Sequence, residues 1–271
     1  MTREYSLAHL SMIAVPPARL ADVAAGAGFD WFSLRLTPSP STGIDHGTVG
    51  DDKALSRLRQ HIDSSGSKIL DLEVIRMKGP ESVQESVPLL EAAQALGARY
   101  VIATVEDSDR QRSVETLAAM ARAAAKCDTS IALEFMMFTA CRNLLEAVDI
   151  ATAAGEPNIV VLPDSLHVIR SGGSIEDVAR IAGEHPELLP YAQICGAEGG
   201  GPAASPEAAR AEGVKARLMP DEGDLPVREF VQALPASTIL AVESPLAGQA
   251  DPADPQALAI AMMAAGRRVG E

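Results

Sequence analysis

VVLPD at residues 160–164 is a short apolar run that closes on an acid. Three other runs carry an oxygen-bearing side chain at the same end: IALEF at 131–135, YAQIC at 191–195 and TILAVE at 238–243. The side chains are Glu134, Asp164, Gln193 and Glu243. The first three stand 30 and 29 residues apart, close to one strand plus one helix, and the fourth follows a longer excursion. A βα barrel collects its functional side chains from the C-terminal ends of several strands, so this rhythm predicts a barrel with all four at one mouth.

Outward from these segments, strand-like runs recur near 5–10, 30–36, 69–75, 100–105, 131–135, 159–163, 190–194 and 238–243. Stretches rich in Ala, Leu and Glu separate them, at about 17–27, 51–65, 82–96, 110–126, 142–154, 174–183, 206–212 or 226–234, and 255–268. Eight strands alternating with helices predict a parallel sheet closed as a (β/α)8 TIM barrel, a single domain over residues 1–271. Gly28, Gly66, Gly97 and Gly155 follow helical segments where a left-handed cap is needed. TPSPSTGIDHGTVG at 37–50 and the Gly-, Ala- and Glu-rich 196–224 break the rhythm. In a barrel such connections after strands open onto the catalytic face.

Hydrophobic residues make up 47% of the chain and aromatic ones only 3%, so aliphatic side chains must fill the core, as suits a parallel sheet wrapped in helices. The formal net charge of −14 argues against a nucleic-acid groove, which needs clustered Lys and Arg. Cys127, Cys141 and Cys195 form neither an even set nor a CxxC pair, which fits a reducing, cytoplasmic setting. No apolar stretch is long enough to span a bilayer, so no membrane association is expected.

Glu134, Asp164 and Glu243 would bring three negative charges together, which is unfavourable unless a cation sits among them. Gln193 adds a neutral oxygen. A set of carboxylate and amide oxygens without thiolate suits one hard divalent ion, Mg2+ or Mn2+ first, then Co2+, with Zn2+ a poorer match. Each acid alone reads equally well as a helix cap or an ion-pair partner; the joint placement favours a metal site. DxxH at 164–167 lacks partner ligands for a zinc motif, and the glycines at 199–201 do not open a capped helix after a strand.

LEFMMFT at 133–139, PNIVVLPDSLHVIRSGG at 157–173, YAQIC at 191–195 and ARLMPDEGDLP at 216–226 also carry a resemblance over essentially the whole chain. It resembles the xylose-isomerase-like TIM-barrel superfamily of sugar phosphate isomerases and epimerases. The resemblance implies that Glu134, Asp164, Gln193 and Glu243 hold the metal. Sugar epimerases of the family carry His at the third ligand position; with Gln193 there, the set is similar to bacterial 3-dehydroshikimate dehydratases. The resemblance also implies that His167, in the loop beyond strand six, contacts substrate. Arg217 aligns with the Arg of an R-x-x-P-G-E-G element in which Asp221 replaces the first Gly. Arg217 would bind a substrate oxygen, with Glu222 orienting it. Barrels of the family often pair as homodimers, although no exposed apolar stripe assigns an interface.

Glu73 and Arg76 at the end of strand three, Arg35 at the end of strand two and Arg170 would face the same mouth and imply a small anionic substrate. Each Arg could equally pack its stem and pair with a neighbouring acid. His9 would contribute inside the mouth and His46 would act as a lid residue, whereas His61 and His185 read as exposed.

These residues predict an isomerase, epimerase or lyase acting on a small polyhydroxy or hydroxy-keto, carboxylated compound through a metal-stabilised enolate. Glu134 or Glu243 would be the base, with His167 as its partner. Dehydration of the 3-dehydroshikimate type is the specific alternative. An endonuclease IV-like nuclease or a non-catalytic binding barrel are remoter readings.

Overall fold

The computed structural model describes residues 3–38 and 42–271. Its strands are β1 (Tyr5–Leu7), β2 (Trp31–Arg35), β3 (Ile69–Met77), β4 (Tyr100–Val105), β5 (Ser130–Glu134), β6 (Ile159–Leu162), β7 (Tyr191–Ile194) and β8 (Ile239–Val242). The helices are α1 (Pro17–Ala27), α2 (Asp52–Ser65), α3 (Ser82–Glu85), α4 (Val87–Leu96), α5 (Arg110–Ala125) and α6 (Leu144–Ala154). They continue as α7 (Ser165–Arg170), α8 (Ile175–Glu184), α9 (Pro206–Lys215), α10 (Val227–Ala233) and α11 (Pro255–Gly270). Among the described residues no helix is long and apolar enough to cross a membrane.

All the strand pairings are parallel, in the order β6-β5-β4-β3-β2-β1-β8-β7. The ends of that order, β6 and β7, meet at one bridge between Asp164 and Gln193, where the Gln193 N–H donates to the Pro163 carbonyl at 2.9 Å. Pro163 has no N–H to extend a ladder, which accounts for β6 stopping at Leu162. The result is a (β/α)8 TIM barrel.

Two apolar layers hold it. One lies between strands and helices and includes Leu7, Phe32, Leu72, Val101, Leu133, Val161, Ile194 and Val242. The other fills the barrel interior with Leu70, Tyr100, Ile102, Ala132, Leu162, Tyr191 and Ala241 among others. In β5, Ile131 and Leu133 belong to the outer layer and Ala132 to the inner one, so Glu134 continues the inward row. Tyr100 and Tyr191 stack across the interior at 4.8 Å.

Caps follow the sequence. Asp109, Asn143, Ser174 and Ser205 accept backbone N–H groups in the first turns of α5, α6, α8 and α9, each worth about 1 kcal/mol. Gly28 ends α1 at φ 82°, and the other three predicted glycine caps are also left-handed. Some expectations change. The helix expected over 82–96 divides at Ser86, because Pro88 cannot donate an N–H in mid-helix. Both candidate segments before β8 are helical, as α9 and α10. Of the connection at 37–50, residues 39–41 lie outside the described residues.

Asp71 is the least expected side chain of the interior. It is buried, its Oδ2 accepts from Ser33 Oγ at 3.1 Å, and its Oδ1 has no partner. Burial, reinforced by the nearby charge of Glu73, raises its pKa well above the usual carboxylate range. The folded state therefore keeps a proton that the unfolded chain releases above about pH 4, and stability falls as pH rises from there toward the folded pKa. Asp71→Asn removes that proton equilibrium. The variant should gain urea resistance relative to the parent as pH is raised from 5 to 8; a difference independent of pH would mean that Asp71 is ionised in the fold.

Candidate active site

β5, β6, β7 and β8 deliver the four oxygen-bearing side chains to the mouth. Thr104 on β4 is in register with Glu134, and Gln193 with Ala241, so the strand ends share one level. Asp164 caps α7, its Oδ1 accepting from the Leu166 N–H at 2.7 Å. This six-residue helix corrects the expectation that His167 lies in a loop.

The centre of the site is the guanidinium of Arg217. Its Nη1 meets Asp164 Oδ2 at 2.6 Å and its Nη2 meets Glu243 Oε2 at 2.8 Å. Its Nε donates to the Gly213 carbonyl at 2.7 Å. Gln193 Nε2 donates to Glu243 Oε1 at 3.0 Å. All these groups are buried. Glu222 does not orient Arg217 as expected; it accepts from the Met219 N–H within its own turn, while Asp221 pairs with Arg268.

The charges are unequal in effect. Burial works to raise Asp164, yet the Arg217 guanidinium beside it, with His167 and the Leu166 N–H, holds its pKa below the usual range. Glu243 is pushed up to about 8 by burial, with Arg217 opposing and Glu73 and Asp164 adding to the rise. Glu134 is raised well above its ordinary value by burial and by Glu243 and Asp164. His167 Nε2 lies 4.0 Å from both Glu134 Oε1 and Asp164 Oδ2, too far for a hydrogen bond, and burial lowers its pKa to about 4. His167 is therefore neutral at pH 7.

Three carboxyl groups face one guanidinium and a neutral imidazole, so ionising all three would leave negative charge in excess, which is why Glu134 and Glu243 are raised. Gln193 Oε1 is buried without a partner. Glu134, Asp164 and His167 each offer a ligand atom within 4.8 Å of one another; Glu243 stands outside that trio, held by Arg217 and Gln193. This donor set fits a divalent cation.

A cavity of about 660 Å³ opens over these groups. Glu134, Gln193, Glu243, His167, Arg217, Glu73, Arg35 and Arg76 line it. Arg35 pairs with Glu73 at 3.2 Å, and Arg76 with Glu106 at 3.5 Å. Arg170 is placed elsewhere. It donates to Glu212 at 2.7 and 2.9 Å and to the carbonyls of Glu198, Gly199 and Gly201 at 2.6 to 2.7 Å. Every N–H of a guanidinium is then used in holding the connection after β7, with none left for substrate. His9 is likewise occupied: Nδ1 accepts from the Arg35 N–H and Nε2 bonds the Val15 carbonyl, both at 2.9 Å. His46 stacks on His9 at 5.0 Å and bonds the Ile13 carbonyl at 3.1 Å, so it braces the β1–α1 connection.

The sequence reading passed over Lys78, Phe138, Arg142, Arg210 and Gly213, which also line the cavity. Phe138 meets His167 edge-on at 5.8 Å. A Cβ at Gly213 would lie 3.3 Å from His167 Cε1, so the absence of a side chain in α9 makes room for the imidazole. Phe138 was legible as part of LEFMMFT, directly after the first ligand strand; the others stand in segments without a motif.

Residues 21–265 match the family described as a xylose isomerase-like TIM barrel. The chain belongs to that family. A curated relative, inosose isomerase of Bacillus velezensis, is 27% identical over 114 residues, which span 38% of this chain and 41% of the relative. The match thus spans about two-fifths of the relative's length. The crystal structure of the IolI protein with a bound zinc atom superposes with a TM-score of 0.82 at 16% identity, covering 98% of each chain. The probable 3-DHS dehydratase AsbF of Bacillus anthracis superposes with a TM-score of 0.71 at 14% identity, covering 96% of this chain and 97% of that one. At such identities these likenesses show the fold.

Arg217→Met removes the cation between two buried acids at similar volume. In the presence of EDTA it should cost about 3–5 kcal/mol in urea unfolding, the penalty of an uncompensated buried charge. Added Mn2+ should restore more stability to the variant than it adds to the parent. An unchanged urea midpoint would show that Arg217 does not neutralise the acids.

Proposed function

We propose that the protein is a divalent-metal-dependent lyase that removes water from a small carboxylated hydroxyketone, with 3-dehydroshikimate as the model substrate. The observation that carries this reading is the inequality of the two glutamates. Both oxygens of Glu243 are engaged, by Gln193 Nε2 and Arg217 Nη2. Glu134 accepts no hydrogen bond among the described residues and lines the cavity beside His167. Epimerisation of a carbon takes a proton from one face and returns one to the other, which calls for two free groups; elimination can proceed with a base and its partner on one side.

A divalent cation held by Glu134, Asp164, Gln193 and Glu243 would supply positive charge that acidifies the C–H next to a carbonyl and stabilises the resulting enolate. Glu134 Oε1 would remove that proton. The neutral imidazole of His167, its Nε2 4.0 Å away, would take that proton from Glu134 and pass it to the β-hydroxyl as its C–O bond breaks. The pair of electrons from the C–H bond becomes the new C=C bond, and the hydroxyl leaves as water. Phe138, edge-on to the imidazole, shields that side from solvent.

A second reading, isomerase or epimerase, is supported by the partial likeness to inosose isomerase and would require Glu243 to be released from Arg217. Mass spectrometry separates the two. The protein loaded with Mg2+, Mn2+, Co2+ or Zn2+ should convert 3-dehydroshikimate to a product lighter by one water. Unchanged mass with a changed chromatographic position, on 3-dehydroshikimate or an inosose, would transfer the assignment to the second reading. His167→Asn should lower kcat by roughly 10²–10⁴ with the melting temperature preserved.

A further inference from the structure

The arginines that point at the mouth in the sequence are largely committed to acids of the protein itself. Arg217 is held by Asp164, Glu243 and the Gly213 carbonyl, Arg35 by Glu73, and Arg170 by Glu212 and three carbonyls. They set the charge balance of the floor, and an incoming anion would have to compete with a buried carboxylate for each.

The outer wall of the cavity is different. Lys78 follows β3, Arg142 precedes α6 and Arg210 lies on α9, so three separate segments each place one cation on the same cavity. All three are exposed, and none of their side chains forms an ion pair among the described residues, although the Arg142 N–H donates to Glu146 Oε2 at 2.7 Å. Arg210 sits over the Phe138 ring at 5.7 Å, which holds its guanidinium against the wall. Arg76 pairs with Glu106 at a longer 3.5 Å. Glu106 is the lone lining carboxylate outside the floor group of Glu73, Glu134 and Glu243.

We infer that Lys78, Arg142 and Arg210 form an oxyanion subsite at the rim, which takes the terminal carboxylate or phosphoryl group of the substrate and turns its reacting carbonyl end toward Glu134 and His167. This deepens the proposed function and rests on it for the reacting end. The rim itself can be probed without turnover. Exposed cations act as a group of donors for an anion, and their contribution falls with salt.

The test is calorimetry on the Mn2+-loaded protein with inorganic phosphate, 3,4-dihydroxybenzoate and catechol, the last being the same ring without its carboxylate. Lys78→Gln/Arg142→Gln/Arg210→Gln is compared with the parent and with a control, Arg19→Gln/Arg57→Gln/Arg267→Gln, which removes three exposed cations away from the cavity. In the parent and the control, 3,4-dihydroxybenzoate should bind about tenfold more tightly than catechol at low salt, and the preference should shrink as salt rises. In the rim variant the preference should vanish while catechol binding stays. Tighter binding of phosphate than of 3,4-dihydroxybenzoate, lost in the rim variant, would identify the group as phosphoryl. If neither ring compound binds the parent but phosphate binds and is lost in the rim variant, the subsite stands and the proposed substrate falls. A preference kept in the rim variant, or lost equally in the control, overturns the subsite.

Discussion

One buried guanidinium sets the terms for the rest of the site. Arg217 lies between Asp164 and Glu243 and offsets the charge of these two buried acids. Its position is in turn imposed by the backbone. Gly213 offers its carbonyl from the last turns of α9, and the turn after Arg217 lies against the strand end through the Gly196–Leu218 and Ala197–Gly223 bridges. A Cβ at Gly196 would stand 2.1 Å from the Glu222 carbonyl oxygen, so that approach needs glycine. Asp221 has no positive φ, and Gly223, at φ 78°, supplies the left-handed residue of the turn.

Barrel closure and ligand placement are one structural fact. The β6–β7 seam is joined where Asp164 and Gln193 bridge, so two of the four oxygen-bearing side chains are neighbours because the barrel closes there. Ser165 reinforces the seam, its Oγ accepting from the Cys195 N–H at 3.0 Å and donating to the Cys195 carbonyl at 3.1 Å. A change in that register would misplace the acid that Arg217 needs and the amide that fixes Glu243.

The strands were legible because buried parallel strands read as continuous apolar runs, and the mouth was legible because polar residues at their ends are conspicuous. What could not be read was how each charged group spends its hydrogen-bonding capacity. His9, Arg170 and Arg217 have the residue types of a binding site, yet their donors and acceptors go to the backbone and to acids far away in sequence. Helix α7 escaped because six residues show no helical period, although Asp164 at its head is an ordinary cap. Asp71 stands in mid-strand, where ILDLE at 69–73 does show a polar residue, but only the barrel places it inward.

The rim resolves an apparent conflict between an acidic protein and an anionic substrate. A net charge of −14 would repel an anion if it acted as a point at the centre. At physiological ionic strength the Debye length is about 8 Å, so exposed charges on the far side of the barrel hardly reach the mouth. Among the residues that line the cavity wall the balance is basic: Lys78, Arg142 and Arg210 face the cavity, and Glu106, the acid on the outer wall, is already paired with Arg76. An anion therefore meets a basic entrance and then a floor whose cations are matched by acids. That gradient favours holding the charged end of a substrate outside and its neutral, reactive end within.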